Sequence, residues 1–247
     1  MNLKQMMIGV GMVIMTLCSH PDAFAEKRVL TMAVSPLPPY NIAEDNSGME
    51  YEIVKEALQN KGYEIQPKYV PLSRVKAEIA DKTVDGAFPI MKESGARAFY
   101  SVPHMIYENV AVSLQKNHFG MKSIQALRDR SVVAFQDATR YLGKDFGAMA
   151  GTNPRYREIT HQELQINLLY SGHCEIIVMD KNIFHYYRHR NQQVDIRQPV
   201  TIDRLFIPSP YSVAFLEEKT CDDFNDALKQ LRESGRYHEI IVKYIGK

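Results

Sequence analysis

DGAFPIMKESGARAFYSVP, residues 85–103, decides the fold of this chain. Val84, Gly86, Ala87, Phe88 and Ile90 form a short apolar run, the pattern of a strand buried on both faces. Pro89 sits near its end, where a missing backbone donor is tolerated. A polar crossing, Lys92-Glu93-Ser94-Gly95, leads to Arg97. An Arg just past a buried strand and a flexible loop is well placed to meet an anion. Its guanidinium fork matches a carboxylate with two charge-assisted hydrogen bonds. The same Arg can instead make a surface ion pair with Glu93, four residues back.

Upstream, residues 29–35 (VLTMAVS) alternate and are β-rich, a first strand. Pro36, Pro38 and Pro39 then force an extended loop that ends at Tyr40. Residues 45–48 (DNSG) form a turn cluster. Ile53, Val54, Ala57 and Leu58 fall at helical spacing, with Gly62 past the end. Ile65, Pro67 and Tyr69 alternate as an edge-like strand. Pro71 opens a helix that places Leu72, Val75 and Ile79 on one face and Arg74 off it, toward solvent or toward a cleft.

Downstream, Val110, Val112 and Leu114 alternate as another strand. Ser123 suits the N-cap of a short helix. Residues 131–135 read as a strand, followed by the turn Gln136-Asp137-Ala138-Thr139 and a helix from about Tyr141. A brief strand at 157–160 precedes a helix carrying Leu164, Leu168 and Leu169, ended by Gly172. Residues 174–180 (CEIIVMD) are a buried strand ending in a carboxylate. Asp180 can cap the helix over 182–190 or face a ligand. Residues 194–200 and 211–216 read as closing strands. Strands alternating with helices give an α/β protein.

The formal net charge of +1 over 247 residues gives no reason to expect nucleic acid or an anionic membrane surface as partner. Lys4, an apolar run over residues 6–17 and Ala23-Phe24-Ala25 form a secretory signal peptide, with cleavage expected after Ala25 and a periplasmic destination. The run is shorter than the roughly 20 residues of a membrane span. Leu17 precedes Cys18, where a lipoprotein signal wants a small residue, so an unanchored exported protein is expected. Cys174 and Cys221 remain after cleavage; pairing is open to them in an oxidising compartment, and so is life as buried thiols. His185 and His189 stand one helical turn apart among Tyr and Arg; without a third ligand or HExxH they read as a basic face, and no metal or cofactor is implied.

Asp85, Arg97 twelve positions on, Tyr100-Ser101-Val102-Pro103, and the tail Glu233-Ser234-Gly235-Arg236-Tyr237 followed by Lys243-Tyr244-Ile245-Gly246 resemble the family 3 extracellular solute-binding proteins. The likeness covers residues 29–246 and implies that the tail forms the family's C-terminal pair of helices. It implies a two-lobed, periplasmic-binding-protein-like (type II) fold with a two-strand hinge and a cleft between the lobes. Residues 26–113 and 201–247 would form the first lobe and 114–200 the second, inserted one, with the crossover near Leu114.

The resemblance also implies a function: capture of a small polar or zwitterionic solute, an amino acid first, for delivery to an ABC transporter permease. In the family's pattern Arg97 holds the ligand carboxylate, Asp180 its ammonium, and Thr139 assists. Leu37 or Tyr40 covers the ligand, and Leu72, Ile90 and Lys92 complete the site. Lys92, Ile90 and Pro89 depart from the hydroxyl or small residues usual there, Ala138 lacks a hydroxyl, and Leu37 replaces an aromatic, which leaves another small anionic solute open. A monomer is expected. Two alternatives stay open: a sensory module that reports to a membrane receptor, and a periplasmic dehydratase of the cyclohexadienyl or prephenate type using a cleft carboxylate.

Overall fold

The computed structural model describes residues 28–246. The expected signal peptide, residues 1–25, and its cleavage site lie outside the described residues. No described helix is long and apolar enough to cross a membrane.

The chain opens with β1 (Arg28–Val34), α1 (Met49–Gln59), β2 (Tyr63–Tyr69), α2 (Leu72–Ala80), β3 (Gly86–Ile90), β4 (Phe99–Tyr100) and β5 (Met105–Tyr107). It continues with β6 (Asn109–Leu114), β7 (Val132–Phe135), α3 (Ala138–Tyr141), α4 (Lys144–Thr152), β8 (Tyr156–Ile159), α5 (Glu163–Tyr170), β9 (Ile176–Asp180), α6 (Lys181–Arg190) and β10 (Val200–Asp203). β11 (Ser209–Phe215), α7 (Glu218–Glu233) and α8 (Arg236–Ile245) end it.

Two sheets result. The first has the order β2-β1-β3-β11-β4, with β5 also paired to β11; the second has the order β10-β6-β9-β7-β8. β1 is parallel to β2 and β3, and β7 is parallel to β8 and β9. Every residue of β3 is buried, as its unbroken apolar run requires. β2 carries Pro67 and lies at an edge, where the lost donor faces no partner strand. Helices cover both sheets, giving the α/β, two-lobed type II architecture.

The passages between the sheets fall elsewhere than the sequence suggested. β6 and β10 both belong to the second sheet, so the chain crosses at Glu108 and returns through residues 204–208. Alternation in Val110, Val112 and Leu114 marks a strand but names no sheet. What decides is antiparallel pairing with β9, Val110 opposite Met179. The two passages are tied where Arg204 meets Glu108 at 2.8 Å. Lys181 reaches the same carboxylate at 2.8 Å, and its hydrogen bond holds Glu108 below the usual carboxylate range. The expected strand over 194–200 is paired only from Val200 onward. Just before it, the Arg197 backbone and guanidinium turn back onto Asp195.

The tail returns to the first sheet. Phe224, Ala227, Leu228 and Leu231 of α7 are buried in one cluster with Ile53, Val54 and Leu58 of α1. Burying each large apolar side chain is worth about 1.5–3 kcal/mol. The neighbouring pairs Arg236–Glu56 and Lys243–Glu52 are partly exposed, so water and salt screen them and they add little. Burial, not charge, holds these helices. Cys174 and Cys221 are buried and free. Burial pushes the Cys174 thiol up to about 12, so it packs as a small apolar group.

Candidate functional site

Four strand ends converge on one cleft. Residues 35–38 after β1, 69–73 after β2, 135–137 after β7 and 160–163 after β8 line a cavity of about 390 Å³, completed by Tyr141, Ile183 and Tyr187. Open α/β sheets bind ligands at the carboxyl ends of their parallel strands, and here both sheets present those ends to the same space. Leu37, Leu72, Phe135, Gln162 and Ile183 also line a smaller cavity of about 30 Å³ that reaches Asp180, Asn109 and Tyr107 and forms the floor. Beyond Tyr141 lies a second hollow of about 560 Å³, walled by Met91 and Glu93 from the first sheet's side and by residues 141–145 and 205–210.

Asp180 is set into the floor by the end of β9. Its Oδ1 accepts from the backbone N–H groups of Asn182 and Ile183, which makes it the N-cap of α6. Tyr40 Oη also donates to Oδ1, at 3.0 Å, and the Glu108 backbone N–H donates to Oδ2 at 2.8 Å. Burial pushes the Asp180 carboxyl up to about 6 even though these donors favour its charged form.

Tyr40 is wholly buried. Its ring stacks on Tyr107 with centroids 3.8 Å apart, and its hydroxyl accepts from Asn182 Nδ2. Tyr107 in turn donates to Glu50 at 2.8 Å, and Glu50 also meets His104 and Asn41 at 2.7 Å each. Glu50, His104 and Asn41 are all fully buried, a polar network set inside the first sheet's core.

The turn after β7 faces inward. The Asp137 and Thr139 backbone N–H groups donate to the Glu158 carboxylate at 2.6 and 3.1 Å, and Tyr156 Oη adds a third bond at 2.7 Å. A carboxylate from β8 therefore occupies the donors of this turn.

These positions sort the residues expected from sequence. Leu37 and Leu72 stand on the cleft wall and floor, and Asp180 on the floor. Tyr40 lies behind Asp180, not over the cleft. Thr139 is half-buried and engaged with Glu158. Ile90 is buried in a core cluster with Ala33, Val75 and Ile79. Lys92 and Arg97 are exposed and line none of the cavities described here. Arg97 makes no ion pair with Glu93 among the described residues, and Arg74 is solvated, 3.6 Å from Glu78. His185 and His189 sit beside Pro39 and Tyr244 with ring centroids 6.4 Å apart. No group of three or more metal-ligating side chains occurs among the described residues.

Residues 30–247 match the sequence profile of the bacterial extracellular solute-binding proteins, family 3. The chain belongs to that family. No curated protein matches this family 3 member in sequence. Among solved structures it resembles a histidine kinase sensor domain with similarity to periplasmic binding proteins, at TM-score 0.73 and 17% identity, over 90% of this chain and 97% of that one. It also resembles a mutant arginine-binding protein from T. maritima, at TM-score 0.70 and 18% identity, over 89% and 96% of the two chains. A third is the substrate-binding protein of an amino acid ABC transporter, at TM-score 0.66 and 16% identity, over 89% and 100%. At such identities the likeness establishes the fold alone.

Sequence reading missed Gln162, Glu163, Phe135 and Tyr141 on the cleft wall of this solute-binding protein, and Glu158 behind it. Gln162 and Glu163 open α5 directly after the β8 loop, so their position past a parallel strand was the available signal. Glu158 carried none, because the turn it holds lies about 20 residues away across a strand pair.

Proposed function

We propose that this protein is exported to the periplasm, captures a small polar organic solute of amino-acid size in the 390 Å³ cleft, and presents it to a membrane transporter. The observation that carries this reading is the composition of the cleft wall. It takes Leu37 and Leu72 from the first sheet's side and Phe135, Gln162 and Ile183 from the second's, so a solute touching both favours the closed arrangement of the two. Leu37, Leu72 and Asp180 belong to the proposed site. Arg97, Thr139, Lys92, Ile90 and Tyr40 stand off its wall, which withdraws support from the expected carboxylate clamp.

The chain belongs to a solute-binding protein family, which supports capture without turnover. Fold likeness to a histidine kinase sensor domain supports a second destination, a membrane receptor that reads the closed form. The test is isothermal titration of the purified protein against small solutes, with recovery and analysis of the solute. Saturable binding of an unchanged solute, lost when Leu72→Arg fills the cleft, is the expected result. Conversion of the solute, or binding untouched by Leu72→Arg, would sink the reading. Cross-linking of the loaded protein in membranes then separates permease from receptor.

A further inference from the structure

We infer that the cleft takes an organic amine that carries no carboxylate, its cationic head among Asp137, Gln162 and Glu163 and its apolar body against Leu37, Leu72 and Phe135. This rests on the reading of the cleft as the solute site and names the class of solute.

The first observation is charge. The wall carries the carboxylates of Asp137 and Glu163 with no Lys or Arg; His161 stands 3.3 Å from Glu163. Asp180 lies in the floor and Glu158 directly behind the Asp137 turn. Arg140 reaches Asp137 only at 4.0 Å and is largely exposed. In the adjoining hollow Lys144 is accompanied by Glu93 and Asp145. A carboxylate entering the cleft would lose its water and meet like charge, whereas an ammonium meets opposite charge.

The second observation is an unmet acceptor. Gln162 Oε1 is buried and has no hydrogen-bond partner, and Gln162 lines both the cleft and its floor. A buried acceptor without a donor is costly, and an N–H group from a solute would satisfy it. The third is that the backbone donors of the turn after β7 and of the start of α6 are already used: Glu158 takes the Asp137 and Thr139 N–H groups, and Asp180 those of Asn182, Ile183 and Glu108. The donors that remain on the wall include the hydroxyls of Ser35, Ser73, Thr160, Tyr141 and Tyr187, none of which carries the positive charge that would offset Asp137 and Glu163.

Matched pairs that differ only by a carboxylate test this: cadaverine and lysine, agmatine and arginine, tyramine and tyrosine, each titrated calorimetrically into the purified protein. At least one amine should bind tenfold or more tighter than its amino acid. Its affinity should fall about tenfold in Asp137→Asn and in Glu163→Gln, and stay unchanged in Glu233→Gln on the exposed face of α7. An amino acid that binds as tightly as its amine overturns the inference and leaves the solute-receptor reading standing. Failure of every amine also overturns it; a parallel titration with sugars and dicarboxylates then shows whether the receptor reading falls as well.

Discussion

The Tyr40 hydroxyl, from the loop after β1, donates to Asp180 Oδ1 at the end of β9 across 3.0 Å, and so joins the two sheets beneath the cleft. Both groups are buried, and each has other partners: Asn182 Nδ2 donates to Tyr40, and three backbone N–H groups donate to Asp180. The bond therefore couples the capping of α6 to the packing of the first sheet's loop. Tyr40→Phe keeps the ring on Tyr107 but removes one donor from Asp180 and the acceptor from Asn182. Leaving such groups unsatisfied costs about 1–3 kcal/mol. Urea unfolding should show a loss in that range; no loss would mean that the hydroxyl is dispensable to the floor.

Asp180 should also give the fold a pH dependence of unusual sign. Its carboxyl is raised by burial from 3.8 to about 6. The native state then binds this proton more tightly than the unfolded chain. Its contribution is fully present below pH 3.8 and is lost as pH rises through about 6. Two pH units correspond to at most about 3 kcal/mol. Asp180→Asn keeps a capping oxygen and cannot titrate. The stability difference between wild type and Asp180→Asn should therefore shift between pH 4 and 7, wild type losing ground as pH rises. A constant difference across that window would show that burial does not govern this group.

How far these features could be read from sequence depends on the range of the interaction. β3 and α1 follow from local periodicity, the paired tail helices followed from the family resemblance, and Pro67 marked an edge strand. The cap role of Asp180 was legible because a carboxylate stood one residue before a helical pattern. Its bond to Tyr40 was not, since 140 positions separate the two. Arg97 followed the family pattern in spacing, yet no local signal reports that its side chain ends in solvent. Glu158 likewise looked like any strand residue until the pairing of β7 with β8 set it against Asp137 and Thr139.

Gly48 fixes the loop that carries Tyr40. Its φ of +117° lies where L side chains are strained, and an added Cβ would stand 2.2 Å from the Tyr40 carbonyl oxygen. That oxygen accepts from the Glu50 and Tyr51 backbone N–H groups at the start of α1. Gly48→Ala should cost at least about 2 kcal/mol, combining backbone strain with displacement of this contact. Chemical denaturation measures the cost, and a change within 0.5 kcal/mol, ordinary for a surface substitution, would contradict it.

Glu158 should govern the order of the turn that leads into α3. Its carboxylate accepts from Asp137 N, Thr139 N and Tyr156 Oη. Asp137 sits in the left-handed region at φ 62°, a conformation that costs energy for a residue with a Cβ and needs support from its surroundings. Glu158→Ala removes all three bonds at once while leaving the apolar faces of β7 and β8 untouched. Amide exchange at residues 137 and 139 should then quicken by tenfold or more, with exchange in β3 unchanged, because only the local opening is made easier. Unaltered exchange at both amides would show that the turn is held by the packing of Ala138 and Tyr141, and that Glu158 is a bystander.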